Sequence, residues 1–226
     1  MNKRPLFIYD WYGTVEAPLW SAYMVEQCQE KRIASANGHE YHPSQTMAEF
    51  KSQHQNQKTT LISGMAELIR FTDSIGNNIL LSDGSHLDDA CSELLALACH
   101  FKQWTFDGKL IKFGCKPETK SKSDPEVAEA LIKQFNPSKV FVIGDSNTEA
   151  QFAEFLHADT FIFCGLDKKQ ITAGKTLPHV EHLVTGHPMI KYIEGHLSEN
   201  QPHVISHRSQ QRKQVLLGNQ YVNDGE

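Results

Sequence analysis

No apolar run in this sequence approaches the roughly 18 residues needed to cross a bilayer. The stretch before the first acid, Leu6 to Tyr9, is too short for the core of a secretion signal. Together these predict a cytoplasmic protein with no membrane span. A basic stripe is missing as well. The 22 Lys and Arg stand against 27 Asp and Glu for a formal net charge of −5, with both signs scattered, so nothing is concentrated to neutralise a nucleic-acid backbone. The short cluster at residues 208–213 reads as solvated tail. Cysteine is sparse: Cys28, Cys91, Cys99, Cys115 and Cys164 are odd in number and widely spaced, which points to reduced thiols in a reducing compartment. His179, His182 and His187 have no cysteine pair beside them and read as surface histidines rather than zinc ligands. There is no internal repeat. At 226 residues the chain suits one filled core with a small accessory subdomain.

What is present is an alternation of short apolar runs and helical patterns. Residues 6–9 form an apolar run ending at Asp10 and a Gly13-Thr14 turn, a buried strand followed by a loop. Residues 18–58 are polar and rich in Gln and His, with helical patterning at 20–33 and 44–53, the second opened by Ser44 as N-cap. They read as two helices of a lid. A helical spacing at 62–71 precedes an apolar run at 79–81, closed by Ser82, Asp83 and Gly84. Residues 88–99 are amphipathic, 101–120 are less regular, and Asp124-Pro125 has the N-cap and first-position proline of a helix running to Phe135. The run at 140–143 is continuously apolar, as in a parallel strand buried on both faces, and Gly144-Asp145-Ser146-Asn147 follows at once. A helix at 148–156 and a strand at 160–163 complete the pattern.

Strands alternating with helices predict the α/β class with a doubly wound parallel sheet. Ligands of such sheets bind outside the carboxyl ends of the strands, near the point where strand order reverses. Asp10, Ser82 and Asp145 each occupy such an end. Singly, any one of them is equally a turn former or helix cap; together they point to one site.

Four segments carry a resemblance. Phe7-Ile8-Tyr9-Asp10-Trp11-Tyr12-Gly13-Thr14-Val15, then Leu81-Ser82-Asp83-Gly84, then Lys122-Ser123-Asp124-Pro125-Glu126, then Val142-Ile143-Gly144-Asp145-Ser146-Asn147-Thr148-Glu149 resemble, in order, the signatures of the haloacid dehalogenase (HAD)-like hydrolase superfamily. The resemblance spans residues 6 to about 165, with residues 183–194 similar to the family's last strand and helix. It implies a Rossmann-like core from residues 1–17 and 59–198, a small helical cap of residues 18–58 that selects the substrate, and a flexible tail, 199–226, with no counterpart.

The resemblance further implies a magnesium-dependent phosphatase acting on a small phosphorylated metabolite, as monomer or homodimer. Asp10 is then the nucleophile that forms an aspartyl phosphate. Asp10, the main-chain carbonyl of Tyr12 and Asp145 hold Mg2+, with Glu149 on a metal-bound water. Lys122 neutralises the phosphoryl oxygens, with Lys116 a competing candidate. Thr14, Ser82, Asp83 and Gly84 bind the phosphate. Two departures matter. Tyr12 stands where family phosphatases carry a second Asp as general acid and base, a group worth about 10²- to 10⁴-fold. Tyrosine there is similar to the metal-independent 2-haloacid dehalogenases, although those lack Asp145, and Arg32 is the one cap residue suited to a haloacid carboxylate. Asp83 replaces the usual Asn, as would suit a catalytically weak binding or scaffold protein. Trp11 suits either the core or the substrate pocket.

Overall fold

The computed structural model describes residues 3–55, 57–82, 96–106, 109–112, 118–119 and 124–198. Asp83, Gly84, Lys116, Lys122 and the tail lie outside them, as does most of the helix expected at 88–99. Strand β1, Leu6–Tyr9, is buried at every position, and its residues divide between two faces with the period of two that a strand imposes. Leu6 and Ile8 join a core with Ile79, Val142, Leu131 and Phe152. From the other face, Phe7 stacks on Phe141 at 5.1 Å, and the Tyr9 hydroxyl meets that of Thr72 at 2.7 Å. Burial pushes the Tyr9 phenol well up, the Thr72 bond offsetting only part of that. The group stays neutral, as a phenol buried in this core must.

The chain leaves β1 through a loop into β2 (Glu16–Pro18), which pairs antiparallel with β3 (Thr59–Leu61). Between this pair lie helices α1 (Leu19–Ala36) and α2 (Met47–Gln53). The cap of α2 is Thr46, not Ser44: its hydroxyl accepts from the Glu49 amide, and Glu49 reaches back to the Thr46 amide, which satisfies two orphan donors reciprocally. Ser44 instead donates to Glu30 on α1. Much of this region is joined by polar contacts. Gln45 donates to Glu26, and the hydroxyls of Tyr23 and Tyr41 donate to the Gln45 carbonyl and to Gln27. Phe50 is its aromatic anchor, edge-on to Tyr23 at 5.7 Å.

Helix α3 (Met65–Ile75) begins three residues later than the apolar pattern suggests, because its N-cap Gly64 sits at φ 76 and turns the chain before it. After α3 come β4 (Asn77–Leu81), β5 (Gln103–Phe106), β6 (Lys109–Lys112) and β7 (Glu118–Thr119), so the stretch read as less regular holds three strands. Then follow α4 (Pro125–Phe135), capped by Asp124 with Pro125 at its start as the sequence predicts, β8 (Val140–Gly144), α5 (Asn147–Phe155) and β9 (Thr160–Phe163). The last strand, β10 (His179–His182), lies upstream of the segment expected to hold it, and α6 (Gly186–Ser198) follows.

The large sheet runs β10-β9-β8-β1-β4-β5-β6-β7. Strands β10 through β5 in that order pair parallel, and β6 and β7 pair antiparallel. Chain order therefore runs outward from β1 in both directions, which puts the switch point between β1 and β8. The expected doubly wound α/β sheet is present. Residues 1–191 form one compact unit; in the described part of the second, residues 192–198, the rings of Tyr192 and His196 stack at 5.7 Å. Among the described residues no helix is long and apolar enough to cross a membrane.

Candidate active site

Asp10 ends β1 with its amide bonded to the Ile143 carbonyl of β8 at 3.0 Å, and its side chain is nearly buried. The loop beyond it folds on one acceptor, the Trp11 carbonyl, which takes the amides of Thr14, Val15 and Glu16 at 3.3, 2.8 and 3.0 Å. That curl needs Gly13 at φ 85, a conformation that costs other residues dear. Glu16, which sequence reasoning passed over, is 2% exposed. It accepts from the Trp11 indole and from the Thr59 hydroxyl of β3, so the question of Trp11 resolves toward the core. A lone acid between Val15 and Ala17 was the signal available in the sequence.

Asp145, at the end of β8, is brought against this same loop. A methyl placed on Gly13 would lie 2.0 Å from Asp145 Oδ2, so the carboxylate fills the space that glycine leaves open. The first and fourth signatures thus meet across the switch point. Glu149 is buried, and its Oε2 accepts from the Ser146 amide at 3.0 Å and from the Ser146 hydroxyl. It closes a capping box on α5, which fixes the turn carrying Asp145. Ser82 is buried at the end of β4, beside β1 in the sheet. Thr14 is fully buried and donates to Asp10 Oδ2 at 3.4 Å. Tyr12 is exposed over 55% of its surface.

A residue the sequence reading treated as a small hydrophobe belongs to the same cluster. Cys164, the first residue after β9, is buried. Burial pushes this thiol well up, as do the carboxylates of Asp145, Asp10 and Glu149, against the effect of the Thr14 hydroxyl. Three carboxylates therefore lie within electrostatic reach of the Cys164 thiol. Among the described residues no three His, Cys, Asp or Glu side chains form a metal-binding group. The oxygens that a cation could draw on are those of Asp10 and Asp145 and the main-chain carbonyls of the Asp10 loop. All are hard oxygens, which suits magnesium, an ion that keeps several waters and needs one or two carboxylates.

The comparisons agree with this architecture. A candidate beta-phosphoglucomutase from Bacteroides vulgatus superposes at TM-score 0.50 and 12% identity, covering 88% of this chain and 91% of that one. A candidate beta-phosphoglucomutase from Thermotoga maritima gives TM-score 0.49 at 17% identity over 84% and 99%. A haloacid dehalogenase-like family hydrolase from Streptococcus pneumoniae gives 0.47 at 12% over 84% and 98%. The chain shares the α/β fold of the Bacteroides vulgatus protein. No family model and no curated protein matches its sequence.

Within this core, His182 is not a loose surface histidine. Its Nε2 lies 2.7 Å from the Gly165 carbonyl, its Nδ1 lies 2.9 Å from the Arg32 guanidinium, and Arg32 also donates to the His182 carbonyl at 3.3 Å. The carbonyl takes the Nε2 proton, so Nδ1 is the acceptor for arginine, which fixes the neutral tautomer. Arg32, the residue suited to a haloacid carboxylate, is thus engaged by the loop end of β10. A cavity of about 490 Å3 beside α1 is lined by Glu26, Glu30, Ser63, His187 and Lys191 among others, with neither Asp10 nor Asp145 in its wall.

Proposed function

We propose that this chain is a magnesium-dependent phosphatase of small phosphorylated molecules in which Asp10 attacks phosphorus to form an aspartyl phosphate that water then hydrolyses. The observation that carries the reading is the placement of Asp145 over Gly13, against the loop that follows Asp10. A carboxylate approaching a phosphate dianion meets about 4 kcal/mol per charge pair at 4 Å and an effective dielectric of 20. Bound magnesium, held by Asp10, Asp145 and the Tyr12 carbonyl, would supply the opposing charge.

The chain's own residues then do the rest. Thr14 fixes one oxygen of Asp10, Ser82 donates to the phosphoryl oxygens beside Asp83 and Gly84, and Lys122 neutralises them. Glu149 orients the Asp145 turn through Ser146. Tyr12 is exposed, and a phenol protonates a leaving group less readily than the carboxyl it replaces, so substrates whose leaving groups depart without a proton suit the site best. The insertion carrying α1 and α2 serves as the cap that selects the substrate. Three described cysteines, Cys28, Cys99 and Cys164, are free thiols, which suits a cytoplasmic enzyme. The engagement of Arg32 by His182 counts against the haloacid reading.

The test is hydrolysis of an aryl phosphate by the folded wild type and by Asp10→Asn, each with magnesium and with a chelator. Turnover that requires both Asp10 and magnesium is expected. Turnover indifferent to either removes the proposal.

A further inference from the structure

We infer that Glu16 is a positioning residue that ties the strand on which the chain returns from α1 and α2 to the loop of Asp10. The inference rests on Asp10 being the nucleophile, and it gives a role to a buried acid that the proposed chemistry does not use. Glu16 closes the loop in three ways. Its amide donates to the Trp11 carbonyl at 3.0 Å, its carbonyl accepts from the Gly13 amide at 2.7 Å, and its Oε2 accepts from the Trp11 indole. The other oxygen, Oε1, accepts from the Thr59 hydroxyl. Thr59 lies diagonally across the β2–β3 pair, since Glu16 stands opposite Leu61 and Thr59 opposite Pro18, a separation that a long side chain spans. One carboxylate therefore joins the residue after the nucleophile to a strand more than forty residues further along the chain.

Space-filling does not account for an acid here. Glu16 sits between Val15 and Ala17, both buried, and is itself 2% exposed, where an apolar side chain would avoid the cost of burying a polar one. What an apolar side chain lacks is the ability to hold two polar partners at once. The Trp11 indole N–H can only donate; Trp11 is 3% exposed, so bulk water does not replace a lost acceptor and the group would be left unpaired. Held by Glu16, Trp11 fixes the course of the chain immediately after Asp10, whose own amide is anchored to the Ile143 carbonyl at 3.0 Å. The nucleophile is thus set from both sides. A purely structural Glu16 would support the fold and leave Asp10 indifferent to Thr59.

Glu16→Gln, Glu16→Met and Thr59→Val separate the two, each assayed with an aryl phosphate and magnesium at a temperature where circular dichroism shows the variant folded. A carboxamide can accept from the indole and donate to the Thr59 hydroxyl, so Glu16→Gln is expected to keep kcat within about threefold of wild type. Glu16→Met releases Trp11 and is expected to lower kcat about tenfold with KM unchanged. Nuclear magnetic resonance reads the coupling without turnover: the Trp11 indole proton and the Asp10 amide should both shift in Glu16→Met and in Thr59→Val. If Glu16→Met does not fold, Thr59→Val decides alone, because Thr59 reaches Trp11 through Glu16. A methionine variant with wild-type kcat, a glutamine variant as impaired as methionine, or an Asp10 amide unmoved by Thr59→Val overturns the inference. If the wild type shows no turnover dependent on Asp10, the phosphatase reading fails, while the resonances still decide whether Glu16 links Thr59 to Asp10.

Discussion

Gly13→Ala is the sharpest perturbation of the site. The added methyl would sit 2.0 Å from Asp145 Oδ2, where ordinary contact begins at 3.4 Å, so Asp145 must retreat by the difference, about 1.4 Å, or the loop must open. The backbone adds a second cost, since φ 85 at this position disfavours a residue with a Cβ by about 1–2 kcal/mol. For a chain of this size that lowers the unfolding midpoint by about 2–8 °C, and the displaced carboxylate adds to it. A misplacement of about 1 Å in a catalytic site can cost about 100-fold in rate, so kcat/KM is expected to fall by at least that factor, with magnesium affinity falling alongside. Thermal unfolding, titration calorimetry with magnesium and aryl-phosphate turnover measure the three effects on the same preparation. A Gly13→Ala protein that binds magnesium and turns over within about threefold of wild type, well inside the loss expected from such a misplacement, would refute the placement of Asp145 against the nucleophile's loop.

Further outcomes follow from the same geometry. Tyr12→Asp supplies the missing acid, and turnover of an alkyl phosphate, whose leaving group needs a proton, should rise by about 10²-fold or more while an aryl phosphate changes far less; equal effects on both would show that Tyr12 is not at the leaving group. Phe50→Ala removes the contacts to Tyr23 and to His54 and should cost about 3–5 kcal/mol, read as early protease cleavage within residues 19–58. Thr46→Ala should cost about 1 kcal/mol through the lost cap of α2, whereas Ser44→Ala should leave that helix intact, compared by helical circular dichroism. Asp73 ties α3 to the segment before β5 through His100 and Lys102. Burial pushes its carboxyl up, but the hydrogen bonds and charges of His100 and Lys102 outweigh that and hold it below its ordinary value. A depressed acid stabilises the fold above its unfolded pKa, near 3.9, and loses that contribution as pH falls through its folded value. Urea unfolding of wild type and Asp73→Asn should therefore differ near neutral pH and converge below about pH 4.

Much of the core could be read from the sequence because its strands are buried on both faces: residues 140–143 are continuously apolar, and no helix or surface strand competes for that pattern. Asp124-Pro125 was equally legible, since an N-cap and a first-position proline act locally. Strands β2 and β3 were not, being three residues long and carrying Glu16 and Pro18, whose reason for being there is the Trp11 and Thr59 partners that only the fold supplies. The misplaced cap shows a choice between two hydroxyls: Thr46 prevails because Glu49 lies three residues on, while Ser44 is drawn off by Glu30. For the site, sequence could bring Asp10, Ser82 and Asp145 to strand ends, but not the approach of Asp145 to Gly13, which depends on the parallel pairing of β1 with β8. His182 was the least legible, since it takes its place from partners remote in sequence, Arg32 and Gly165.

The central claim is that Asp10 carries the phosphoryl group. Acid quenching of the protein during turnover of an aryl phosphate with magnesium, followed by peptide mass spectrometry, tests it directly. The account predicts phosphate on Asp10, absent from Asp10→Asn and from chelated samples; phosphate on another residue, or an Asp10→Asn protein that turns over as the wild type does, would contradict it.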